Sequence, residues 1–175
     1  MKEEHRKHRA AESEAGASKM DAPTILAAAF ASWLIPGSGF FFFGRRARGA
    51  AQFALVTLTF SFGLMLHSSV AWPTWSIRSE EFNLINNFTF VVQMGSGAPA
   101  VASFWAALQE PRASSGGIIQ WLGGIPKHPY YELGSYFLIV AGALNYFALG
   151  NFFDRIVRVK TRFEEQESAG RGRTP

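Results

Sequence analysis

Charge is missing from four long stretches of this chain. No Asp, Glu, Lys or Arg lies between Asp21 and Arg45, between Arg48 and Arg78, between Glu81 and Glu110, or between Glu132 and Asp154. A helix needs about 20 predominantly apolar residues to cross the hydrocarbon core of a bilayer, and each stretch is long enough. Water-soluble domains rarely carry four such runs. The pattern therefore predicts an all-α fold: a small polytopic helical membrane protein with a helical hairpin, a C-terminal transmembrane helix and a third apolar segment whose form stays open.

The first run begins at Pro23, placed as a first-turn proline, and should break before Pro36, which lacks a backbone donor and disfavours helix at Ile35. Pro36, Gly37, Ser38 and Gly39 form a hinge. Phe40 to Phe43 follow as an aromatic plug, and Gly44, Arg45, Arg46, Ala47, Arg48 and Gly49 form a basic turn. The second run, 47–66, alternates large apolar residues with Thr57, Thr59 and Ser61, whose hydroxyls can bond back to the helix. The alanine faces of these segments, Ala27, Ala28, Ala31 and Ser32 on one and Ala47, Ala50, Ala51 and Ala54 on the other, should meet, because small residues let helix backbones approach closely in lipid. Trp72 and Trp75 beside Pro73 read as an aromatic belt at the opposite interface. His67 there reads as a satisfied boundary histidine rather than a proton sensor.

In the third run, Asn86, Asn87, Gln93 and the breaker Gly95-Ser96-Gly97-Ala98-Pro99 interrupt the apolar character. A poor span, two half-helices and an amphipathic surface segment all satisfy it. Residues 111–129 read as loop with a short apolar patch around Ile118 to Leu122. The last run, 133–153, is a clean span. Ala141, Gly142 and Ala143 make a notch for close helix packing, and Asn145 on the same side is expected to bond across to a neighbouring helix. Beyond it Phe152, Ile156, Val159 and Phe163 share one stripe, while Arg155, Arg158, Lys160 and Arg162 can reach lipid headgroups.

The chain thus divides into a disordered cytoplasmic leader (1–21), a hairpin with its hinge and basic turn (22–66), an extramembrane or partly re-entrant region (67–131), a C-terminal transmembrane helix with an amphipathic basic extension (132–167) and a disordered tail (168–175). Overall mean hydropathy is only slightly positive because the polar tails dilute the middle. The 17 basic residues against 13 acidic ones concentrate in tails and turns, where topology requires them, so a net charge of +4 does not point to nucleic acid.

With no cysteine there are no disulfides, thiolate chemistry or cysteine-ligated metals. His5 and His8 lack further ligands nearby, so no metal site is expected. Glu80, Glu81, Glu110, Glu132 and Asp154 adjoin loops or helix ends without converging, and no phosphate-cradling loop, serine elbow or zinc spacing occurs. The expectation is a protein without catalytic activity or cofactor, of structural or interaction type. Small transporter or channel use of the break from Gly95 to Pro99 is the alternative. Its partners are expected to be membrane lipids, with other membrane proteins or a second copy as further candidates. Arg45, Arg46, Arg48, Trp72, Trp75, Arg155 and Arg158 are the candidate lipid or interface residues. Pro36, Gly37, Gly39, Gly44, Gly142 and Asn145 are the candidate packing residues.

Pro36-Gly37-x-Gly39-Phe-Phe-x-Phe43-Gly44-Arg45, followed by a small-residue helix through Gly49 and Gln52, resembles the two-transmembrane-segment domain, which joins two apolar helices through a glycine-bounded aromatic turn. Together with Leu133-Gly-Ser-Tyr-Phe-Leu-Ile-Val-Ala-Gly142-Ala-Leu-Asn145, it is more similar to an uncharacterised bacterial membrane-protein family, a domain of unknown function. Phe40 and Phe42 stand where that pattern often has a polar residue and a tyrosine. The resemblance implies a multi-pass protein of the bacterial cytoplasmic membrane and brings no known reaction. It also favours pairing of the first two runs as a real hairpin. Charge bookkeeping instead favours a re-entrant first run, with the leader, the Arg45 turn and the Arg155 tail on the cytoplasmic side. Two to four spans fit, and the hairpin with both termini inside is the arrangement expected.

Overall fold

A computed structural model describes residues 22–73, 83–109, 117–125 and 127–171. The leader at 1–21, Trp75, Arg78, Glu80, Glu81, Glu110 and Arg112 lie outside the described residues. Every regular element among them is helical: α1 (Ala22–Leu34), α2 (Ser38–Phe42), α3 (Arg46–Met65), α4 (Leu84–Met94), α5 (Ala98–Gln109), α6 (Ile118–Gly123) and α7 (Tyr131–Arg171).

Helix α7 is the axis of the molecule, and its stretch Tyr131–Arg162 is the one described helix long and apolar enough to cross a membrane. At 1.5 Å per residue it also serves as a ruler. Helix α3 packs antiparallel along it. Gly63 lies against Gly134 and Leu138 near the Tyr131 end, Phe62 meets the Phe137 ring edge-on at 4.8 Å, and Gln52 donates to the Leu144 carbonyl at 3.0 Å farther along. A Cβ on Gly63 would stand 2.8 Å from the Gly134 carbonyl oxygen and one on Gly134 would stand 2.7 Å from that of Gly63. Both positions are therefore bare so that the two backbones can touch, which is how helices associate in lipid. Val56, Phe60 and Leu64 complete this seam with Leu138 and Ala141.

Two short hairpins approach α7 from opposite ends. Helix α1 starts beside the Arg162 end, where Ala28 and Ala29 pack on Phe152, Ile156 and Val159. It stops at Leu34, and the Trp33 carbonyl reaches the level of Asn145. Buried Pro36 and Gly37, at φ 82°, turn the chain, and α2 returns along Phe152 to Phe43. Helix α4 starts at the other end. Its N-cap Asn83 accepts from the Asn86 amide at 3.1 Å, and the Asn86 side chain donates to the Trp72 carbonyl. It also runs inward and ends at Gly95, beside Gly142 and Asn145. After Gly97, α5 carries the chain back until Ser103 bonds the Leu122 carbonyl at 2.8 Å and accepts from the Val70 amide at 3.4 Å. The tips of the two hairpins meet: a Cβ on Gly97 would lie 2.1 Å from the Trp33 carbonyl oxygen.

Several expectations change. The alanine faces do not meet: α1 packs on α7, and Ala47, Ala50, Ala51 and Ala54 are exposed. Contact between the first two segments is made instead through glycine, because Gly37 and Gly49 lie carbonyl to α-carbon. The first run is a broken half-length helix rather than one arm of a hairpin of full helices. At 13 residues α1 spans about 20 Å, too short for the hydrocarbon core. The third run is two helices. The apolar patch in 111–129 folds as α6 against α5, and α7 continues helically to Arg171, into the tail expected to be disordered. Thr57, one of the three residues expected to bond back to its helix, has its Oγ1 buried without a hydrogen-bond partner among the described residues, whereas Ser32, for which no such bond was expected, makes one at 2.7 Å to the Ala28 carbonyl.

Candidate functional site: an arginine cleft and a buried polar joint

The turn that ends the α1–α2 hairpin delivers its cations to α7. Gly44 (φ 67°) closes the turn by bonding the Phe41 carbonyl at 3.0 Å, and Arg45 bonds that of Phe40 at 2.9 Å. Helix α3 then starts with Arg45 as N-cap. A guanidinium cannot accept a hydrogen bond, so the N-cap gives no side-chain cap, and no acidic residue stands in the first turn. The N-terminal amides and the positive end of the helix dipole are left to face whatever lies beside them.

Beside them lies a cleft of about 520 Å³ between the turn and α7. Arg45 and Arg48 line it from one side, Arg155, Arg158 and Arg162 from the other, and Asp154 is the one acid in its wall among the described residues. Phe40, Phe43, Ala148 and Phe152 line it toward the middle of α7. The Arg155 guanidinium sits 4.9 Å above the Phe43 ring, a cation–π contact that fixes its long side chain. Asp154 takes two bonds from Arg158, Nε at 3.1 Å and Nη2 at 2.5 Å. The two side chains stand one turn apart on α7 and are both largely exposed.

The second polar feature is the joint where the two hairpin tips meet. Asn145, 1% exposed, donates from Nδ2 to the Trp33 carbonyl at 3.0 Å and to the Gly95 carbonyl at 2.9 Å, so one amide ties α7 to both tips. The reverse orientation would set Oδ1 against two carbonyl oxygens, so the network fixes the amide and leaves Oδ1 buried without a hydrogen-bond partner among the described residues. Ser96 Oγ nearby is in the same position. A turn away Gln93, fully buried, accepts from the Ala71 amide at 2.7 Å and donates to Ser135 Oγ at 3.0 Å. Trp33 Nε1 donates to the Met94 carbonyl at 3.1 Å.

Of the residues singled out from sequence, Arg45, Arg48, Arg155 and Arg158 converge on the cleft, and Arg46 is exposed outside it. Trp72 lies far from them, its ring 5.5 Å from Phe104. Trp75 is outside the described residues. Pro36, Gly37, Gly39, Gly142 and Asn145 are buried at contacts, Gly39 against Ser32 and Phe152. Gly44 has open space around it and serves the turn rather than packing. His67, at φ 61°, accepts the Ile125 amide through its carbonyl at 2.8 Å, and its ring is 4.3 Å from that of His128. Sequence reading passed over Gln93 as a linking residue. The signal was there in a lone amide just before a glycine break, but nothing in the pattern says which backbone it reaches.

The chain matches no curated protein and no solved structure. Residues 27–161, which hold both hairpins, the basic turn and most of α7, match a family model described as a family of unknown function. The protein belongs to that family, DUF6677.

Proposed function

We propose that this is a multi-pass helical membrane protein, of the bacterial cytoplasmic membrane as the sequence resemblance implies, with a structural or interaction role and no catalytic one. The observation that carries this reading is an inverted distribution of polarity. Leu58 on α3, Ile85 on α4 and Phe147 on α7 are 70%, 78% and 74% exposed, while Gln93, Ser96, Ser103 and Asn145 are enclosed. Scattered exposed leucines are ordinary, but α3 presents Phe53, Leu55, Leu58, Phe62 and Met65 along its length, and α1, α4 and α7 carry similar faces. Such surfaces are stable against lipid, and polar groups then belong inside, bonded between helices.

In this reading α3 and α7 cross, the two hairpins enter halfway from opposite sides, and the arginine turn lies at the inner surface with the basic end of α7. Lipids are the surroundings, and outward apolar faces are available to another membrane protein or a second copy. Alkaline carbonate washing of membranes tests the proposal: the chain is expected to stay in the pellet, and recovery of folded protein in the supernatant without detergent would end it.

A transport role is the second reading, favoured by one observation. Two broken hairpins meet from opposite ends of α7 at a joint that holds two buried oxygens without hydrogen-bond partners, Ser96 Oγ and Asn145 Oδ1. Against it, glycine contacts and the Asn145 amide fill the joint. Solute flux in reconstituted vesicles that Ser96→Ala alters would favour transport, and vesicles no leakier than protein-free ones would favour the structural role.

A further inference from the structure

We propose that segments 66–73 and 117–125 form a wedge seated in the outer leaflet, where Trp72, Ile118 and Trp121 contact the glycerol and carbonyl layer of the lipids. The inference rests on the membrane reading above and gives a depth to a part of the chain that has no spanning helix. Helix α7 measures that depth. Its apolar run ends at Phe153, before Asp154 and Arg155, and about 30 Å of hydrocarbon counted back from there takes about twenty residues and closes near Leu133. Val70 is buried in one core with Leu138 and Ala141, and Leu122 packs against that core. Leu138 lies about 8 Å inside the boundary at Leu133. Both segments therefore reach below the outer headgroups.

The backbone of the wedge points to the same depth. Residues 68–73 form neither helix nor strand. Such a stretch can leave its amides and carbonyls to water at a surface, but at membrane depth protein must satisfy them. Here protein does. The Val70 amide donates to Ser103 Oγ at 3.4 Å, the Ala71 amide donates to Gln93 Oε1 at 2.7 Å, and the Trp72 carbonyl accepts from the Asn86 side chain. Ser103 Oγ donates in turn to the Leu122 carbonyl at 2.8 Å, which ties the two segments together. Gln93 and Ser103 are fully buried, so α4 and α5 each commit an enclosed polar side chain to this irregular backbone. The outward side then meets lipid. On α6 Leu122 turns in, whereas Ile118 is 71% exposed and Trp121 and Trp72 are also open. Tryptophan brings an apolar ring and an N–H donor to the level where acyl carbonyls accept.

The test uses the full chain reconstituted in phosphatidylcholine vesicles, with a nitroxide label on single cysteines, which the thiol-free sequence allows. Ile118→Cys and Trp121→Cys probe the wedge. Exposed Lys127→Cys marks the aqueous side, and Leu58→Cys, 70% exposed along α3, marks the acyl chains. Relaxation of each label by oxygen, which concentrates in lipid, is compared with relaxation by a water-soluble nickel chelate. The oxygen-to-nickel ratio for Ile118→Cys and Trp121→Cys is expected to stand about threefold or more above that for Lys127→Cys and below that for Leu58→Cys. Circular dichroism of each variant confirms that the helices are retained.

Wedge labels with the same ratio as Lys127→Cys would place both segments in water and overturn the proposal. Wedge labels that are immobilised and reached by neither reagent would mean that protein covers this surface, which overturns lipid as its partner. If Leu58→Cys keeps the high ratio of a lipid-facing site while the wedge labels read as aqueous, only this inference is lost. If Leu58→Cys is also open to the nickel chelate, the membrane reading beneath it falls as well.

Discussion

At the scale of single residues, hydrogen bonds in the joint make opposite predictions for neighbouring side chains. Asn145 spends both amide hydrogens on carbonyls of different helices. Asn145→Ala should therefore cost about 1–2 kcal/mol, the loss of two partly offset bonds in an apolar setting. Asn145→Asp should cost more, because it replaces two donors with a carboxylate aimed at carbonyl oxygens. Unfolding by sodium dodecyl sulfate in mixed micelles reads both, and an Asp variant as stable as the parent would refute the assigned geometry. Ser96 is equally enclosed, but its hydroxyl has no hydrogen-bond partner among the described residues. Ser96→Ala should be neutral or stabilising by up to about 1 kcal/mol in the same titration, since a buried polar group without a partner carries its desolvation cost uncompensated. A loss as large as that of Asn145→Ala would mean that Ser96 holds something essential.

Among elements, the decisive contacts are between backbones, and glycines mark them. A Cβ on Gly142 would come within 1.8 Å of the Val92 carbonyl oxygen, where backbone rather than a flexible side chain stands in the way. Gly142→Ala should push α4 off α7 and cost roughly 2 kcal/mol or more. Gly150, two turns on in the same helix, has open space, so Gly150→Ala should add about 0.5–1 kcal/mol through helix propensity alone. Thermal unfolding of the pair in detergent separates packing from propensity, and equal shifts would discount the contact.

Legibility follows the same division. The break before Pro36, the interruption at Gly95 to Pro99 and the notch with Asn145 were readable, because proline, glycine and a lone amide have local consequences. Which surfaces meet was not. The alanine faces of α1 and α3 looked suited to each other, yet α1 turned to Phe152, Ile156 and Val159 because the glycine contact at Gly37 and Gly49 sets its direction. Arg45 and Arg155 were each legible as headgroup-seeking cations. Their convergence on one cleft was not, since it depends on a hairpin that returns α2 alongside α7.

For the whole molecule, the arrangement of the hairpins makes a claim about sidedness. The α1–α2 hairpin returns to the end of α7 from which it came, so the Arg45 turn and the basic extension of α7 share one surface, while residues 66–73, 124–125 and 127–131 gather around Tyr131 at the other. His67, Ser68 and Ser69 pack on Gly124, and Ser69 Oγ lies 3.1 Å from the Tyr131 hydroxyl. If the chain spans a membrane as proposed, this arrangement keeps the clustered arginines together on one side, which the positive-inside preference would assign to the cytoplasm, and a first run crossing fully would not do so. The chain has no native thiol, so single cysteines report cleanly. Ala47→Cys and Thr161→Cys, both exposed, should react with a membrane-impermeant maleimide only after the membrane is opened from the cytoplasmic side. Lys127→Cys, also exposed, should react in intact cells from which any outer barrier has been removed. If Ala47→Cys and Thr161→Cys were labelled from opposite sides, α1 and α2 would have to cross together as one span, and neither the shared arginine cleft nor the meeting of the tips at Asn145 could stand.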